Sequence, residues 1–591
     1  MEHSATICCI GRGSFNLNLV CTLEIGAWRR ERVNEVKDLE PEKLKQSQDD
    51  GKAAKTDGEA AKNDEKIDEE SGGEAVAEEH NYPGLLPAAM LMLAICVATF
   101  LVSLDRTIVS TAIPRISDEF NSFADIGWYA GVYALSGCAM QLPIGRFYSF
   151  YRPKWVYITL LSIFIVGSAI GAGARSSATI IVGRAIQGVG CAGVFSGSII
   201  LLLDNVPIRQ RPMFVGGMMA TMSISAVIGP LIGGALTSNA SWRWCFIINI
   251  PLGMATIAIV IFTVKDSPGK EYDTKGTVDK LMHLDPLGAA VLVPAVVCLV
   301  LALQWGGSTY AWGSWRIILL LVLSGVLAVA FTAVQVTMPD TATITKRVIC
   351  QRSVASCFYY ATCSGGAMMV VIYWIPLWFQ AIKNASPVSS GEMTIPLLLS
   401  QSLASIISGG LVSKVVGYAP PFMIASSILM AIGAGLLSTL TIHSGHSQWI
   451  GYQVLFGFGL GFGMQQPSNA VQTIILDKED FSSAISLFFF GMQLGGSICV
   501  CIGQNVLNQR LIKYLAEAAI PGLNPYDVLR TGATELGQLV HTNADMIKLQ
   551  YAYNQSITEV FYVAAAVAGA AIFGAALVEW KNIKGLGKKF E

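Results

Sequence analysis

A succession of long apolar runs after Pro83 constrains this chain more than any other feature of its sequence. A transmembrane helix needs about 20 mostly apolar residues, and fourteen stretches approach that length. They lie at residues 86–108, 125–145, 155–173, 178–203, 213–237, 243–264, 285–304, 315–337, 354–380, 394–413, 418–440, 449–470, 482–503 and 558–580. Only 14% of the residues are charged, against about 25% in a soluble domain. The sequence therefore predicts an all-α polytopic membrane protein that lies in a lipid bilayer.

The first 82 residues have a different composition from the rest. The stretch 46–79 consists largely of Glu, Asp, Lys, Ala and Gly and contains no aromatic residue. Such a segment cannot bury enough apolar surface to offset the entropy lost on folding. We therefore expect residues 1–82 to form a disordered cytosolic tail.

Basic residues in the predicted loops indicate how the spans are oriented. Fourteen Lys and Arg residues lie in the predicted internal loops, whereas six, Arg106 among them, lie in the short external loops. Because internal loops are enriched in positive charge, both termini are expected in the cytosol. Three N-x-[ST] sequons all fall in predicted external loops, and they predict glycosylation at Asn239, Asn384 and Asn554.

Several classes of protein are excluded by composition and motif. A net charge of −1 gives no basic excess for nucleic acid. The thirteen cysteines show no metal-ligand spacing, and the six histidines all lie in tails or loops. No G-x-x-x-x-G-K-[ST] phosphate-binding loop is present for an ATP-driven exporter. We therefore expect neither an enzyme nor a cofactor, metal or nucleic-acid partner.

Asp105 and Arg184 are ionisable residues inside predicted spans. Charge in hydrocarbon is costly, so such residues are functional candidates by default. Both fall near the outer ends of their spans, where they could pair if the two spans are neighbours. Two interpretations remain open. The pair is either a structural contact that fixes helix packing or a switch that opens when Asp105 is protonated.

The fifth span carries a Gly-Pro and a Gly-Gly pair within six residues, formed by Gly229, Pro230, Gly233 and Gly234. Small residues let helices approach closely, and a proline inside a helix removes one backbone hydrogen bond and bends it. The pattern predicts a kinked span packed tightly against a neighbour.

Amide and aromatic side chains recur within the spans and predict an uncharged, amphipathic substrate cavity. The candidate lining residues are Gln141, Gln187, Asn249, Tyr373, Trp374, Gln380, Gln465, Gln466 and Gln493. A lining of this kind suits a bulky organic molecule better than a sugar or an ion.

Four motifs give the chain a family resemblance. Residues 104–109 read LDRTIV, 183–190 read GRAIQGVG, 229–234 read GPLIGG, and 242–253 begin WRWCF and end NIPLG. With these motifs the chain resembles the major facilitator superfamily, in particular its fourteen-span drug:proton antiporter branch, and most closely the fungal toxin and secondary-metabolite efflux pumps.

The resemblance implies two six-helix bundles with two inserted spans. The bundles would be residues 83–264 and 354–580, the second including an external loop at 504–557, with the inserted pair in a linker at 265–353 and a cytosolic tail at 581–591. One departure is notable, since Ser149 and Phe150 stand where the superfamily usually has Asp and Arg.

The resemblance also implies a function. It predicts export of a small amphipathic organic molecule in exchange for protons by alternating access, with Asp105 and Arg184 as the proton-coupling residues. A siderophore or other small-molecule transporter of the same superfamily is the alternative. We expect a monomer in the plasma membrane, with a vacuolar or vesicle membrane as the other candidate.

Overall fold

A computed structural model describes residues 85–120, 122, 125–207, 210–264, 283–307, 310–339, 341–475, 478–518, 520–521, 523 and 542–582. All of them belong to one compact unit, Glu79–Glu591. The predicted tail 1–82, much of the linker and of the loop 504–557, and nearly all of the predicted tail 581–591 lie outside the described residues.

The first part of the described chain forms an N-terminal bundle of helices. These helices are α1 (Leu85–Phe120), α2 (Ile126–Phe150), α3 (Pro153–Ala172), α4 (Ser177–Asn205), α5 (Arg211–Asn239), the one-turn α6 (Trp244–Ile247) and α7 (Asn249–Thr263). Helix α1 packs against α5, α7 and α4, while α4 also contacts α2 and α3. Helix α1 therefore packs against most of the other helices of this bundle, and α4 is the more completely buried of the two.

Two further helices, α8 (Pro286–Trp305) and α9 (Trp315–Thr337), follow and pack on each other. The C-terminal bundle contains α10 (Lys346–Ile349), α11 (Arg352–Lys383), α12 (Pro387–Glu392), α13 (Ile395–Leu411) with a π-helical end at Val412–Val416, α14 (Pro420–Leu437), α15 (His446–Gly463), α16 (Gln466–Ile474), α17 (Lys478–Ala518) and α18 (Asn543–Leu577). Within it, α11 packs against α17 and α18, and α15 packs against α13 and α14.

Local sequence explains where several helices begin. Proline, whose missing N–H costs nothing in the first turn, opens α3 and α8 at Pro153 and Pro286. Ser176 caps α4 by accepting a hydrogen bond from the backbone N–H of Thr179. The apolar interiors of the helices need no other backbone partners, because each helix satisfies its own N–H and C=O groups.

Twelve of the described helices are long and apolar enough to cross a membrane. The other two predicted spans, at 125–145 and 449–470, correspond to α2 and α15, which fall outside that group. Both helices are rich in glycine, which lowers their mean hydropathy. The count of fourteen spans therefore stays a prediction.

Two predicted loops are partly helical. Helix α1 runs on to Phe120, so Arg106 lies inside a helix and within the candidate span Leu86–Val109 rather than in an external loop. The predicted loop 504–557 is entered by α17, which extends to Ala518, and left by α18, which begins at Asn543. Hydropathy alone does not predict these extensions, because polar residues end an apolar run without ending a helix. A helix-like pattern at 510–519 does predict the end of α17 inside the loop.

The inserted helices α8 and α9 are joined by one buried carboxylate. Asp285 is 1% exposed and accepts hydrogen bonds from Gly288 N, Gln335 Nε2, Thr343 N and Thr343 Oγ1 at 2.6–3.0 Å. Its backbone takes the left-handed conformation, with φ +53°, which is rare for a residue with a Cβ. Four donors offset the burial of this charge, so the carboxylate holds the start of α8 to the end of α9.

The two bundles meet through α5 with α13 and through α2 with α17. Near the helix ends that are predicted to be cytoplasmic, the two bundles approach so closely that glycine positions leave no room for a side chain. A Cβ added to Gly216 would lie 2.8 Å from the carbonyl oxygen of Ser405, and one added to Gly145 would overlap Ser486. The bundles are therefore in direct contact at this end.

The three sequons differ in accessibility. Asn239 ends α5 and Asn384 follows α11, and both side chains are exposed. Asn554 is 6% exposed inside α18, where it accepts from Trp378 Nε1 at 2.8 Å and donates to the carbonyl of Leu440 at 3.0 Å. Both ends of its amide are engaged, so the structure argues against glycosylation of Asn554. Modification of the other two stays a prediction.

Candidate functional site

Asp105 and Arg184 form a buried ion pair, as the sequence predicted. Arg184 Nη1 donates to Asp105 Oδ2 between α4 and α1, and the two residues are 1% and 0% exposed. Arg184 lies seven residues from Ser177, the end of α4 that is predicted to face outward, which corresponds to a depth of about 10 Å. The pair therefore lies beneath the outer ends of the helices.

Two amide side chains complete the surroundings of the Asp105 carboxylate. Gln187 Nε2 and Asn249 Nδ2 each donate to Asp105 Oδ1 at 3.0 Å. Both amides also donate to Ser168 Oγ, at 2.8 and 3.3 Å. With donors from α4 and α7, the carboxylate is held by charge-assisted hydrogen bonds, which are stronger than neutral ones. We call Asp105, Arg184, Gln187, Asn249 and Ser168 the Asp105 cluster.

The guanidinium of Arg184 is held independently of the carboxylate. Its Nε donates to the backbone carbonyl of Tyr129 at 2.9 Å, and Nη1 also donates to Gln187 Oε1 at 3.1 Å. Its Cζ lies 4.3 Å from the ring centroid of Tyr133, a geometry that stabilises a cation over an aromatic face. The arginine would therefore keep partners if Asp105 became neutral.

One acceptor in the cluster is unused. Asn249 Oδ1 is buried and has no hydrogen-bond partner among the described residues. It belongs to the same amide that donates to Asp105, so a half-turn of that amide would present an acceptor to the carboxyl group. A protonated carboxyl needs such an acceptor. The cluster can therefore accommodate either charge state of Asp105.

The predicted cavity residues do not lie together on one wall. Gln187 and Asn249 bind Asp105, as described above. Gln141 and Gln493 join the two bundles, since Gln493 Nε2 of α17 donates to Gln141 Oε1 of α2 at 3.1 Å. Gln380 Nε2 donates to Ser390 Oγ at 3.0 Å, which ties α11 to α12.

Gln465 and Gln466 lie at the junction of α15 and α16. Gln465 Nε2 donates to the carbonyl of Ser405 at 2.8 Å and to Ser408 Oγ at 3.0 Å, and Gln466 accepts from Asn469 at 3.2 Å. Both glutamines are 0% exposed. These bonds hold α13 to the α15–α16 junction, so whether either side chain also contacts a substrate stays a prediction.

Tyr373 and Trp374 are neighbours on α11 with opposite surroundings. Trp374 is 1% exposed, whereas Tyr373 exposes 57% of its surface although it lies deep within the protein. An open side chain at depth faces an internal space rather than the outer surface. Tyr373 is thus the predicted lining residue whose exposure best fits a cavity.

The Gly-Pro and Gly-Gly pairs place two glycines against α1. A Cβ on Gly233 would lie 2.7 Å from the carbonyl oxygen of Ile108, and one on Gly229 would overlap Thr107. Pro230 faces the other bundle, 3.6 Å from the position of a Cβ on Gly391, and Gly234 is partly exposed. Helix α5 continues through Pro230. The predicted close packing is present, and it lies directly beside Asp105.

Sequence reasoning missed Ser168, Tyr133 and the position of Arg106. Ser168 and Tyr133 are single residues within glycine-rich or aromatic runs and carry no pattern of their own. Arg106 could have been found, because the predicted span 86–108 already contains it although the count of basic residues places it in an external loop.

Comparison with known proteins agrees with this architecture. The family model described as Major Facilitator Superfamily matches residues 95–500. "Efflux pump ustT" of Ustilaginoidea virens is 53% identical over 87% of this chain and 89% of its own length. "Efflux pump roqT" of Penicillium rubens is 44% identical over 84% of this chain and 91% of its own length.

A solved structure supports the fold alone. The bacterial homolog of the human lysosomal transporter Spinster covers 84% of this chain and 98% of its own, with a TM-score of 0.50 and 15% identity. The family match spans most of the described helices, including those that build the Asp105 cluster. The chain therefore belongs to the Major Facilitator Superfamily and is a membrane transporter, not an enzyme.

Proposed function

We propose that this transporter exports small amphipathic organic molecules in exchange for protons. The observation that carries the proposal is the Asp105 cluster, a buried carboxylate paired with an arginine inside the membrane-spanning part of one bundle. Charged residues at such depth mark ion and proton pathways by default. Relatives that cover most of the chain are named efflux pumps, which favours export.

The cluster suggests how a proton would act. When Asp105 is charged, it accepts from Arg184, Gln187 and Asn249. A proton arriving from the outer side on an Asp105 oxygen removes the charge that holds Arg184. The Asn249 amide then turns, and its free Oδ1 accepts from the new O–H group. Helices α1 and α4 lose their strongest contact, which lowers the free-energy cost of moving one against the other.

The close contacts between the bundles fit one end state of alternating access. Gly145 and Gly216 pack against the opposite bundle near the predicted cytoplasmic ends, while Tyr373 stays open nearer the outer end of α11. We assign this arrangement to the outward-facing form. Release of a proton from Asp105 to the cytosol requires these inner contacts to separate, which couples proton entry to export.

Location, span number and oligomeric state belong to the same proposal. We assign fourteen spans, with α2 and α15 as the two less apolar ones, and a monomer in the plasma membrane. Import of a siderophore is the second candidate, and the Gly229 to Gly234 motif together with the named relatives favours export over it.

Transport by the unmodified chain tests the function. Yeast cells that express it would be loaded with a panel of fluorescent amphipathic dyes, Nile red among them, and efflux would be followed with and without a protonophore. We expect efflux above that of vector-only cells that stops when the proton gradient is dissipated. Efflux that persists without the gradient would contradict proton exchange. Growth on siderophore-bound iron without dye efflux would support the second candidate.

A further inference from the structure

Arg106 follows Asp105 in sequence but lies in different surroundings. Consecutive residues on a helix point about 100° apart, so the two side chains cannot share a face of α1. Asp105 is fully buried in its cluster, whereas Arg106 is partly exposed. The guanidinium is near enough to Tyr133 of α2 and Cys191 of α4 to act on both electrostatically. Arg106 therefore lies beside α2 and α4, outside the Asp105 cluster.

Arg106 has no counter-charge in the part of the chain that the structure describes. Among the residues that the structure describes, none forms a hydrogen bond or ion pair with its side chain. Two other arginines of the outer half differ, because Arg184 binds Asp105 and Arg243 binds Glu119 at 2.9 Å. Arg106 nevertheless lies within the candidate span Leu86–Val109. An unpaired charge at this position is tolerated only where water reaches it.

The partly exposed side chain of Arg106 lies toward the interior of the N-terminal bundle. Its neighbours Tyr133 and Cys191 are 3% and 4% exposed, so the guanidinium faces a space between α1, α2 and α4 rather than lipid. Tyr373, open at depth in the other bundle, indicates an internal space of the same kind. In the proposed outward-facing form this space is reached from outside.

A guanidinium in such a space is suited to one class of ligand. Its planar fork binds carboxylate with two parallel hydrogen bonds, and it is charged at every physiological pH. We infer that Arg106 recognises an acidic group on the transported molecule, so that the substrates are amphipathic organic anions carrying a carboxylate. This inference rests on the proposed function and names the substrate class of its cavity.

The competing role for Arg106 is to act on Asp105 through space without touching substrate. That role would change transport of acidic and neutral molecules by the same factor. If Arg106 instead recognises the acidic group, its loss would change transport of the acidic molecule alone. A matched pair of ligands separates the two roles.

The experiment compares 9-anthroate with its methyl ester. Binding of each to the purified full-length protein in lipid nanodiscs is measured by fluorescence anisotropy at neutral pH, where the acid is ionised. We expect the wild type to prefer the acid by about tenfold or more, as a charge-assisted pair would give. Arg106→Gln should reduce that preference to about one, and Arg106→Lys should keep part of it.

Arg115→Gln is the matched control, since Arg115 is an exposed arginine on the same helix. It should keep the preference of the wild type. A wild type without preference, or a preference that survives in Arg106→Gln, would overturn the inference. Equal losses of affinity for the acid and the ester in Arg106→Gln would also overturn the inference. They would indicate that Arg106 acts through Asp105 and not on the substrate. Proton-dependent dye efflux is measured separately, so failure here is distinguishable from failure of the proposed function.

Discussion

The two bundles solve the burial of polar groups in different ways. Among the described residues, the buried charged side chains of the bundles are Asp105, Arg146 and Arg184, all in the N-terminal bundle. The C-terminal bundle buries hydroxyls and amides instead. Gln465 donates to the carbonyl oxygen of Ser405, and the Tyr360 hydroxyl donates to Ser426 Oγ at 2.9 Å. A charge can change with pH, whereas an amide cannot. The difference suggests that the first bundle responds to protons and the second provides uncharged contacts.

The largest expected effect comes from removing the cation of the N-terminal bundle. Arg184→Ala leaves Asp105 buried without its counter-charge, and breaking a buried pair in this way costs about 3–5 kcal/mol. We expect a lower thermal unfolding midpoint in detergent and no proton-dependent efflux. The double variant Arg184→Gln with Asp105→Asn should recover most of the stability but not the efflux. An unfolding midpoint unchanged in Arg184→Ala would mean that the pair is not a principal contact.

A smaller effect is expected from the amide that binds the same carboxylate. Asn249→Leu removes one donor to Asp105, a bond worth about 1.5–3 kcal/mol, and so weakens the charged form relative to the neutral one. The dependence of efflux on pH should therefore change in this variant. The charged and titratable groups around Asp105 are Arg184, Arg106, Tyr133, Cys191 and Cys245. None of them changes in the variant, so an unshifted profile would exclude Asn249 from the switch.

The C-terminal bundle should respond differently to loss of a polar contact. Gln465→Leu removes two hydrogen bonds to α13 and costs about 1–2 kcal/mol, seen as a modestly lower unfolding midpoint. Because no charge is involved, the pH profile of efflux should keep its position. A shifted profile would contradict the division of roles between the bundles.

The smallest effect is expected at the outer surface. Glu119 accepts from Trp242 Nε1 at 2.6 Å and from Arg243 Nη2 at 2.9 Å, and the hydrogen bonds from Arg243 and then Trp242 lower the pKa of Glu119. The charged carboxylate of Glu119 therefore stabilises the fold at pH values above the usual pKa range of a glutamate. This stabilisation disappears as the pH falls through the lowered pKa. Glu119→Gln should cost less than about 1 kcal/mol at neutral pH and nothing in acid. A loss of stability that persists at acid pH would indicate that Glu119 acts through packing and not through its charge.

Much of this architecture could be predicted from the sequence. The pairing of Asp105 with Arg184 was predictable because two isolated charges in apolar runs at matching depth have few other partners. The close approach of α5 to α1 followed from Gly229 and Gly233. The position of Asn249 did not, because an amide at the start of a span could bind a substrate or a neighbouring side chain equally well. Only the crossing of α7 with α1 decides between these.

The continuation of α1 and the exposure of Arg106 also lay beyond sequence reasoning. Polar residues after an apolar run end the hydropathy signal, but α1 continues to Phe120 because its neighbours continue beside it. An arginine there is expected in a loop, since positive charge is expected outside hydrocarbon. A water-filled space among packed helices carries no local sequence signal.

Exchange by an Asp105→Asn variant tests the central claim most directly. Proteoliposomes would be loaded with the dye that the wild type transports fastest, and two rates would be measured, accumulation driven by a pH difference and exchange of labelled for unlabelled dye without one. Accumulation should fall to background while exchange continues, because a fixed neutral side chain still permits movement but carries no proton. The control variant Asp545→Asn should retain both, since Asp545 lies in the first turn of α18 and pairs with the exposed Lys548. Accumulation at the wild-type rate in Asp105→Asn would contradict the assignment of Asp105 as the coupling acid.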